Sequence, residues 1–398
     1  MAKLTVEDLE LKGKRVLMRV DFNVPLEGGK VADDKRIRAA VPTIKFIVEK
    51  GGRLILMSHL GKPKGEKKPE MSLRLCVPVL SGLIGRNVQF VDDCVGESVE
   101  AAIQKLGDGD VLLLENLRYY KEETKNDDVF ASRLARLADV YVNDAFGTAH
   151  RAHASTEGVT HHIEKCAAGL LMMKEIQYMG NLFESPERPF VAILGGAKIS
   201  DKIGVIFNLL PKVDRIIIGG GMAFTFFKAK GMEIGDSLLE EDKIDVAKEL
   251  LTKAGGKIVL PVDFLITDSL DFAGRKVGAV KEADAGAIPK GWLGVDIGSK
   301  SVAQFSTILK GAKTVMWNGP MGIFEIEATS KGTYEIAKVL ADVTDKGAKT
   351  VIGGGDSASA VSKAGVKDRI SHVSTGGGAS LEFLEGKVLP GVAALTEK

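Results

Sequence analysis

Short apolar runs rich in β-branched residues alternate along the chain with amphipathic segments, and this alternation constrains the fold more than any other feature. In the first half we predict strands over residues 16–20, 54–57, 88–91, 111–114 and 140–142. In the second half we predict strands over residues 190–194, 215–218, 257–260, 314–317, 350–352 and 372–373. Strands that alternate with helices form mostly parallel sheets with helices on both faces, so the pattern predicts an α/β fold.

The helical segments are recognised by their periodicity and by their ends. Residues 34–50 carry apolar side chains on one helical face, open with Asp33-Asp34 as suitable N-cap residues, and stop at a glycine pair. Residues 240–254 also end at a glycine pair, and residues 167–183 form a further predicted helix with an apolar face.

The length predicts two domains. A chain of 398 residues exceeds one common domain, and two domains of roughly 200 residues each are expected. The division is predicted near residues 165–190, where the 167–183 helix is followed by a polar loop that contains two prolines. A helix followed by such a loop is typical of a hinge, and it is equally typical of an ordinary crossover helix.

Composition excludes several classes of protein. The chain is 45% hydrophobic and 27% charged with a net charge of +1, which favours neither nucleic acid nor a membrane surface as a partner. No apolar run approaches the ~20 residues of a membrane helix, and the first residues lack the apolar stretch of a signal peptide. Three cysteines without a C-x-x-C spacing disfavour a disulfide framework or a zinc site, so we expect a cytoplasmic protein.

Cationic and amide side chains follow four predicted strands of the first half. In open α/β sheets ligands bind beyond the carboxyl ends of the strands, so these loops are candidate binding loops. Arginine grips carboxylate or phosphate with two parallel hydrogen bonds, which suits a small polyanionic substrate. The residues of this set are Asp21, Phe22, Asn23, His59, Leu60, Gly61, Lys62, Arg118 and Arg151, with Arg36 in the first turn of the 34–50 helix.

Structural alternatives exist for single members of this set. Arg36 and Arg38 could pair with Asp33 and Asp34 on the surface, and a lone His59 could serve packing alone. Arg118 and Arg151 follow strands at equivalent positions in different units, which favours function for the set. His161 and His162 have no supporting neighbours, and we assign them no role.

Glycines follow five predicted strands of the second half, at Gly195, Gly219, Gly319, Gly353 and Gly376. Glycine lets backbone approach a ligand closely, and successive N–H groups leading into a helix cradle phosphates. The chain has no G-x-x-x-x-G-K-[ST] and no G-x-G-x-x-G between a strand and a helix with an acidic residue after it. The pattern therefore predicts a nucleotide held by a loop that is neither of the Walker type nor of the dinucleotide type.

Two lysines and one aspartate complete the second set. Lys198 and Lys202 are four residues apart at a predicted helix start, which would place two ammonium groups on one face with an anion between them. A solvated lysine face is the alternative. Asp356 directly follows three glycines and is a candidate Mg²⁺ ligand, an N-cap of the next helix, or both.

Eight motifs, taken together and in order, resemble the phosphoglycerate kinase family over essentially the whole chain. They are R-V-D-F-N-V-P at 19–25, S-H-L-G-K-P at 58–63, E-N-L-R at 115–118, N-D-A-F-G-T-A-H-R-A-H-A-S at 143–155, L-G-G-A-K-I-S-D-K at 194–202, W-N-G-P-M-G-I-F-E at 317–325, G-G-G-D-S at 353–357 and S-T-G-G-G-A-S at 374–380.

The resemblance implies the reversible reaction of 1,3-bisphosphoglycerate with ADP to give 3-phosphoglycerate and ATP, using Mg²⁺, in a cytoplasmic monomer. It implies two Rossmann-like domains: residues 1–168 for the glycerate and residues 189–384 for the nucleotide. Residues 169–188 would form the interdomain helix and hinge, and the tail 385–398 would pack on the first domain.

The resemblance also assigns roles to individual residues. The glycerate would be held by the first-half set named above. The nucleotide would be held by Gly195, Lys198, Lys202, Gly219, Gly294, Asn318, Glu325, Gly354, Gly355, Asp356 and Ser357, with Asp356 as the metal ligand. The transferring phosphoryl group would be surrounded by Arg36, Lys198, Gly376 and Gly377. The family usually has arginine where this chain has Lys62. Lysine keeps the positive charge but lacks the bidentate fork of arginine.

Two other classes of protein fit the sequence less well than a kinase of this family. The missing dinucleotide fingerprint argues against a nicotinamide-dependent dehydrogenase. Intact Arg36, Lys198, Lys202 and Asp356 argue against a non-catalytic interaction protein, which has no need of all four.

Overall fold

Two six-stranded parallel sheets organise the chain, each within its own compact unit. The computed structural model describes residues 3–398. Unit 1 comprises the described residues up to Gln177 together with Val388–Lys398, and unit 2 comprises Tyr178–Lys387. The α/β fold predicted from the alternation of strands and helices is confirmed.

Unit 1 is built on the parallel sheet β5-β6-β4-β1-β7-β8, beside a two-stranded antiparallel ribbon β2-β3. Its strands are β1 (Arg15–Arg19), β2 (Leu26–Glu27), β3 (Lys30–Val31), β4 (Arg53–Met57), β5 (Val88–Phe90), β6 (Val111–Leu113), β7 (Val140–Asn143) and β8 (Cys166–Ala168). Its helices are α1 (Lys35–Glu49), α2 (Val77–Ile84), α3 (Glu97–Gln104), α4 (Lys121–Thr124), α5 (Asp128–Ala135) and the start of α6 (Leu170–Glu184).

Unit 2 is built on the parallel sheet β12-β10-β9-β19-β20-β21. Its strands are β9 (Phe190–Leu194), β10 (Arg215–Ile218), β11 (Glu233–Ile234), β12 (Ile258–Val259), β13 (Asp263–Thr267), β14 (Leu270–Asp271), β15 (Lys276–Val277), β16 (Val280–Asp284), β17 (Ala287–Ile288), β18 (Leu293–Ile297), β19 (Thr314–Asn318), β20 (Lys349–Gly353) and β21 (His372–Val373). A second, antiparallel sheet of unit 2, β16-β13-β18, was not predicted.

The helices of unit 2 cover both faces of its parallel sheet. They are α7 (Ile203–Leu209), α8 (Met222–Ala229), α9 (Ile244–Ala254), α10 (Ser299–Lys310), α11 (Lys331–Asp345), α12 (Gly355–Lys363) and α13 (Gly378–Leu384). Successive residues of β9 enter different cores, because Val191 and Ile193 pack on one side of the sheet and Ala192 and Leu194 on the other. A parallel strand buried on both faces explains the continuous apolar run that predicted it.

The segment around residue 167 differs from the prediction. Ala167 lies in the edge strand β8, and helix α6 begins only at Leu170. Three small residues with no β-branched member carry little strand signal, which is why the helix was predicted to start too early. The boundary between the two units falls inside α6, after Gln177.

The last residues of the chain pack on the β7-β8 edge of unit 1. The Asn143 amide donates to the carbonyl oxygen of Gly391 (3.1 Å), and the backbone N–H of Thr396 donates to the carbonyl oxygen of Cys166 (2.9 Å). The short helix α14 (Pro390–Ala393) lies in this segment. Backbone groups at this sheet edge are therefore paired within unit 1.

Candidate active site

The four candidate loops of unit 1 follow β1, β4, β6 and β7, which are neighbours in the sheet order β6-β4-β1-β7. All four strands run parallel, so their carboxyl ends meet at one edge. The sheet topology therefore brings together residues as far apart in the sequence as Asp21 and Arg151. This edge is the ligand-binding edge of an open α/β sheet.

Amide and hydroxyl side chains, buried or half-buried, hold these loops in place. The Asn23 side-chain oxygen accepts from the N–H of Gly61 (2.8 Å), and the Asn116 oxygen accepts from the N–H of Leu60 (3.2 Å). The Phe22 N–H donates to the Ser58 hydroxyl (2.9 Å). The side chains of Phe22 and Leu60 lie in the core of unit 1, so only their backbone could face a ligand.

Arg36 faces the loop after β1 and not the aspartates that precede its helix. Its Nη1 donates to the carbonyl oxygen of Asn23 (2.8 Å) and lies 3.4 Å from Oδ2 of Asp21. Arg38, two residues further on, instead pairs with Asp34 (2.8 Å). Surface pairing with a preceding aspartate is therefore correct for Arg38, whereas Arg36 contacts the loop after β1.

Arg118, Arg151 and Lys62 line one open cavity of about 550 Å³ in unit 1. The Nη1 of Arg118 donates to the carbonyl oxygen of Gly61 (2.9 Å), and its buried Nε has no partner in residues 3–398. Burial, followed by the charges of Arg19 and Arg151, lowers the pKa of Arg118 to about 10. The group stays protonated at neutral pH, and its crowding with other cations favours an anion in the cavity.

His59 is 3% exposed and lies among the cations of this edge. Burial, followed by the charges of Arg19, Arg118 and Arg151, holds the pKa of His59 well below its usual range. The imidazole is therefore neutral at physiological pH. Its Nδ1 lies 3.1 Å from an Nη of Arg19, a residue that the sequence interpretation did not single out.

His161 and His162 are occupied elsewhere. His161 pairs with Glu157 (2.7 Å), and His162 pairs with Asp128 (2.8 Å). Neither lines the cationic cavity.

In unit 2 the five glycine-rich loops follow β10, β9, β19, β20 and β21, which are consecutive in the sheet. The loops hydrogen-bond to one another through their backbones. The N–H of Gly195 donates to the carbonyl oxygen of Asn318 (3.0 Å), and the N–H of Gly196 donates to that of Pro320 (2.9 Å). The N–H of Gly219 donates to the carbonyl oxygen of Leu194 (2.9 Å).

Two of these glycines are required by close packing. A Cβ on Gly195 would lie 2.0 Å from the carbonyl oxygen of Pro320, and one on Gly319 would lie 2.1 Å from that of Gly195. Gly319 also has φ +93°, a conformation that side chains with a Cβ rarely adopt. The loops after β9 and β19 therefore touch backbone to backbone.

The two lysines after β9 occupy different environments. Helix α7 begins only at Ile203, so Lys198 and Lys202 precede it and do not share a helical face, contrary to the prediction. Lys202 is partly buried and donates to the Asn318 side-chain oxygen. Lys198 is exposed and makes no hydrogen bond or ion pair with another residue of 3–398.

The loop after β20 leads directly into α12, whose N-cap is Gly354 at φ +89°. The Ser357 hydroxyl accepts from the N–H of Gly319 (2.6 Å), which ties this loop to the one after β19. Asp356 lies in the first turn of α12 with an exposed carboxylate, and its charge acts on Lys202.

Asp356 is the carboxylate that the loop after β20 offers to a cation. Within residues 3–398 no cluster of three His, Cys, Asp or Glu side chains could hold a metal ion. One exposed carboxylate beside a glycine-rich loop fits Mg²⁺ if that loop holds a phosphate, because Mg²⁺ takes one or two carboxylates together with phosphate oxygens.

A cavity of about 500 Å³ opens beside these loops within unit 2. It contains the predicted residues Gly294, Glu325 and Asp356. Gly294 is needed for packing, because a Cβ there would lie 2.1 Å from Cζ of Phe224. Its apolar wall was not predicted, and it is formed by Phe224, Leu238, Phe264, Leu270, Phe272 and Leu293. An apolar slot beside glycine-rich loops suits a flat base.

The loop after β21 supplies backbone at the start of a short helix. The N–H of Gly376 donates to the Ser374 hydroxyl (3.0 Å), and Gly377 is the N-cap of α13 with φ +44°.

No helix of the described residues combines the length and apolar character needed to cross a membrane.

Two α/β units, one with a cationic edge and the other with a glycine-rich edge and an apolar slot, define a phosphotransferase with a nucleotide substrate. The family model described as phosphoglycerate kinase matches residues 6–387. Phosphoglycerate kinases of Moorella thermoacetica and Thermosipho africanus are 57% identical over 402 residues and 54% identical over 401 residues. Each alignment covers 100% of this chain, and 100% and 99% of the relative.

Solved structures agree with the sequence relatives. The phosphoglycerate kinase of Coxiella burnetii superimposes with a TM-score of 0.89 at 39% identity, and that of Pyrococcus horikoshii with 0.84 at 33%. Both comparisons cover 98% of each chain. The chain belongs to the phosphoglycerate kinase family, and its reaction is the reversible transfer of the acyl phosphate of 1,3-bisphosphoglycerate to ADP.

Proposed function

We propose that unit 1 binds the glycerate substrate at its cationic edge and that unit 2 binds the nucleotide at its glycine-rich edge. The observation that carries this division is the difference between the two cavities. The cavity of unit 1 is lined by Lys62, Arg118 and Arg151, which suits a small anion. The cavity of unit 2 has an apolar wall beside phosphate-binding loops, which suits a base and its phosphates.

The chemistry of the reaction explains the residue types. The attacking oxygen of the ADP β-phosphate is already ionised, and the leaving carboxylate needs no proton. No general base is therefore required, and catalysis depends on in-line positioning and on neutralising charge on the transferring group. We assign this neutralisation to Arg36 and Lys198, assisted by the backbone at Gly376 and Gly377.

We propose that the nucleotide phosphates are bound by Lys202, by the loop from Gly354 to Ser357, and by a Mg²⁺ ion held by Asp356. Mg²⁺, when bound, would neutralise negative charge on the nucleotide phosphates. The exposure of Lys198 supports its assignment, because an ammonium group without a protein partner is available to a phosphoryl oxygen. Lys202 is instead oriented by Asn318.

Arg36→Ala tests the central assignment. We expect kcat to fall by roughly a hundredfold to a thousandfold, because one charge aimed at the transition state is lost. The KM for ATP should stay within about twofold, since the nucleotide binds elsewhere. A coupled assay with 3-phosphoglycerate, ATP and Mg²⁺ measures both constants.

Arg38→Ala is the matched control. It removes the same side chain two residues further along α1, where the partner is Asp34. Its kcat should stay near that of the wild type. If kcat of Arg36→Ala remained within about tenfold of the wild type, the role of Arg36 would be wrong.

Direct transfer requires the two substrates to come within bonding distance, so we propose that the units close around them by bending at residues 169–188. Closure also excludes water, which would otherwise hydrolyse the acyl phosphate. In solution scattering, the radius of gyration should decrease when both substrates are bound together. An unchanged radius would count against hinge bending. We further propose that the enzyme acts as a cytoplasmic monomer, in line with the family resemblance.

A further inference from the structure

A buried polar network lies beneath the cationic edge of unit 1, and the proposed mechanism does not use it. Its charged members, Arg19 on β1 and Glu123 on α4, are both 0% exposed. Taking an ion out of water is costly unless hydrogen bonds and an opposite charge compensate it. A network of this kind persists only when its members are mutually satisfied.

Ser155 connects the two charges. The Nε of Arg19 donates to the Ser155 hydroxyl (2.8 Å), and that hydroxyl donates to Oε1 of Glu123 (2.7 Å). The N–H of Ser155 donates to the other oxygen of Glu123 (3.0 Å), and the Tyr141 hydroxyl donates to the carbonyl oxygen of Ser155 (2.8 Å). The guanidinium also donates to the carbonyl oxygen of Val20. Arg19 is therefore fixed from several sides.

The remaining Nη of Arg19 meets His59. It lies 3.1 Å from Nδ1 of the imidazole. A guanidinium can only donate, so Nδ1 must be the acceptor and the proton of the neutral imidazole must be on Nε2. The low pKa of His59, caused by burial and then by the charge of Arg19, agrees with an imidazole that takes up no second proton. No residue of 3–398 bonds to Nε2.

We propose that Arg19 is a positioning residue for the glycerate half-site, which holds His59 as the Nε2–H tautomer so that Nε2–H donates to an oxygen of the bound glycerate. This inference rests on the proposed function, in which the glycerate binds at the cationic edge whose arginines surround His59. A neutral N–H donor adds a directed hydrogen bond without adding repulsion to a site that already contains three arginines. Without Arg19 the ring could rotate or take the other tautomer, and the donor would be lost.

Nitrogen NMR of the imidazoles tests the tautomer directly. The protein has six histidines, and His59→Gln identifies the signals of His59 by their loss. The wild type should show a bare Nδ1 and a protonated Nε2 for His59, unchanged between pH 6 and pH 8. A protonated Nδ1, or a ring that titrates in this range, would overturn the inference whatever the activity.

Kinetics test the consequence for the substrate. Arg19→Met combined with Glu123→Gln removes the donor without leaving a buried charge unpaired. The KM for 3-phosphoglycerate should rise roughly tenfold to a hundredfold, as expected for one lost hydrogen bond to a charged ligand. The KM for ATP should stay within about twofold. Tyr141→Phe is the matched control, because it removes one hydrogen bond to Ser155 but keeps the Arg19 and Glu123 charges together, and it should leave both constants near the wild type.

A double-mutant cycle separates positioning from a general structural effect. If Arg19 acts through His59, the Arg19→Met/Glu123→Gln pair should raise KM no further in a His59→Gln background. If the increases in KM from the Arg19→Met/Glu123→Gln pair and from His59→Gln instead multiplied in the combined variant, the inference would be overturned. Turnover by the wild type together with an unchanged KM in His59→Gln would also overturn it, and would leave the wider proposed function standing. Absence of wild-type turnover would instead contradict the proposed function, while the NMR result would still decide the tautomer.

Discussion

The two units differ in what forms the candidate binding edge of each sheet. In unit 1 the edge consists of side chains, because Lys62, Arg118 and Arg151 from the loops after neighbouring strands line its cavity. Unit 2 uses backbone: the loops after five neighbouring strands are rich in glycine, and their N–H groups and carbonyls bond to one another. A side-chain edge tolerates change one residue at a time, whereas a backbone edge depends on the absence of side chains. Variants should therefore fail in different ways in the two units.

Gly195→Ala should have the largest effect. The new Cβ would lie 2.0 Å from the carbonyl oxygen of Pro320, and neither backbone can yield without separating the loops after β9 and β19. We expect a loss of about 3 kcal/mol or more in the free energy of unfolding of unit 2. Both tryptophans, Trp292 and Trp317, belong to unit 2, so their fluorescence in a urea titration follows this unit specifically.

Gly355→Ala is the control for backbone crowding. A Cβ at Gly355 meets no heavy atom within 4 Å, and this residue is the first of helix α12. Its urea midpoint should stay close to that of the wild type or rise, because alanine favours the helix. Equal losses of stability in Gly195→Ala and Gly355→Ala would refute the idea that loop contact, and not glycine itself, is essential.

In one respect the two units are alike, because each buries an aspartate that caps a helix. Asp144 accepts from the N–H of Met172 at the start of α6 (3.1 Å), and Asp296 accepts from the N–H of Thr333 at the start of α11 (3.0 Å). Burial raises the pKa of Asp144 to about 7, and it does the same for Asp296. One oxygen of Asp144, Oδ2, is buried without a partner in residues 3–398.

Asp144→Asn should change how stability depends on pH. Between the unfolded pKa near ~4 and the folded pKa near 7, the native state binds a proton that the unfolded state has released. Stability is therefore fully present below this window and falls as pH rises through it, by at most about 1.4 kcal/mol per pH unit from this group. The asparagine variant should lose this slope between pH 5 and pH 7, measured by urea unfolding followed by circular dichroism.

Asp296→Asn should behave in the same way in unit 2, which would extend the likeness between the units. Asp139→Asn provides the contrast. Asp139 pairs with Arg15 (2.7 Å), which lowers its pKa, so it is ionised in both states throughout this range. Its slope between pH 5 and pH 7 should match the wild type. If Asp144→Asn also kept the wild-type slope, then the Asp144 carboxyl is ionised in the folded protein at pH 5.

Lys62→Arg should have the smallest effect. Lys62 lines the cationic cavity, and arginine would provide a bidentate fork that lysine lacks. We expect the KM for 3-phosphoglycerate to fall by about threefold or less, which is the scale of one exposed ionic contact. Lys64→Arg, on the same cavity, should leave this KM unchanged. A rise of KM in Lys62→Arg would mean that the lysine is specifically accommodated.

The parallel sheets were predictable because strands buried on both faces are continuous apolar runs. The antiparallel sheet of unit 2 was not, because its strand β16 (Val280–Asp284) is mostly exposed and carries charged residues. The prediction that Lys198 and Lys202 share a helical face was wrong for a different reason. Four residues between Lys198 and Lys202 fit a helical turn, but the chain first passes through the glycine loop, and spacing alone cannot distinguish the two.

Within the site, convergence of Arg118 and Arg151 was predictable from their positions after parallel strands. Arg19 was missed, although a signal was present, since an arginine inside an apolar strand must find buried partners. The apolar wall around Phe224 and Leu238 could not be predicted, because its residues come from separate segments that only the fold brings together.

Unit 1 is discontinuous along the chain, and this affects the order of assembly during synthesis. Its β7-β8 edge is completed by Gly391 and Thr396, whereas unit 2 is a single stretch, Tyr178–Lys387. A ribosome that moves from the amino end therefore delivers all of unit 2 before the segment that finishes unit 1. The unit that begins first is finished last, which reverses the usual N-terminal-first order of domain folding.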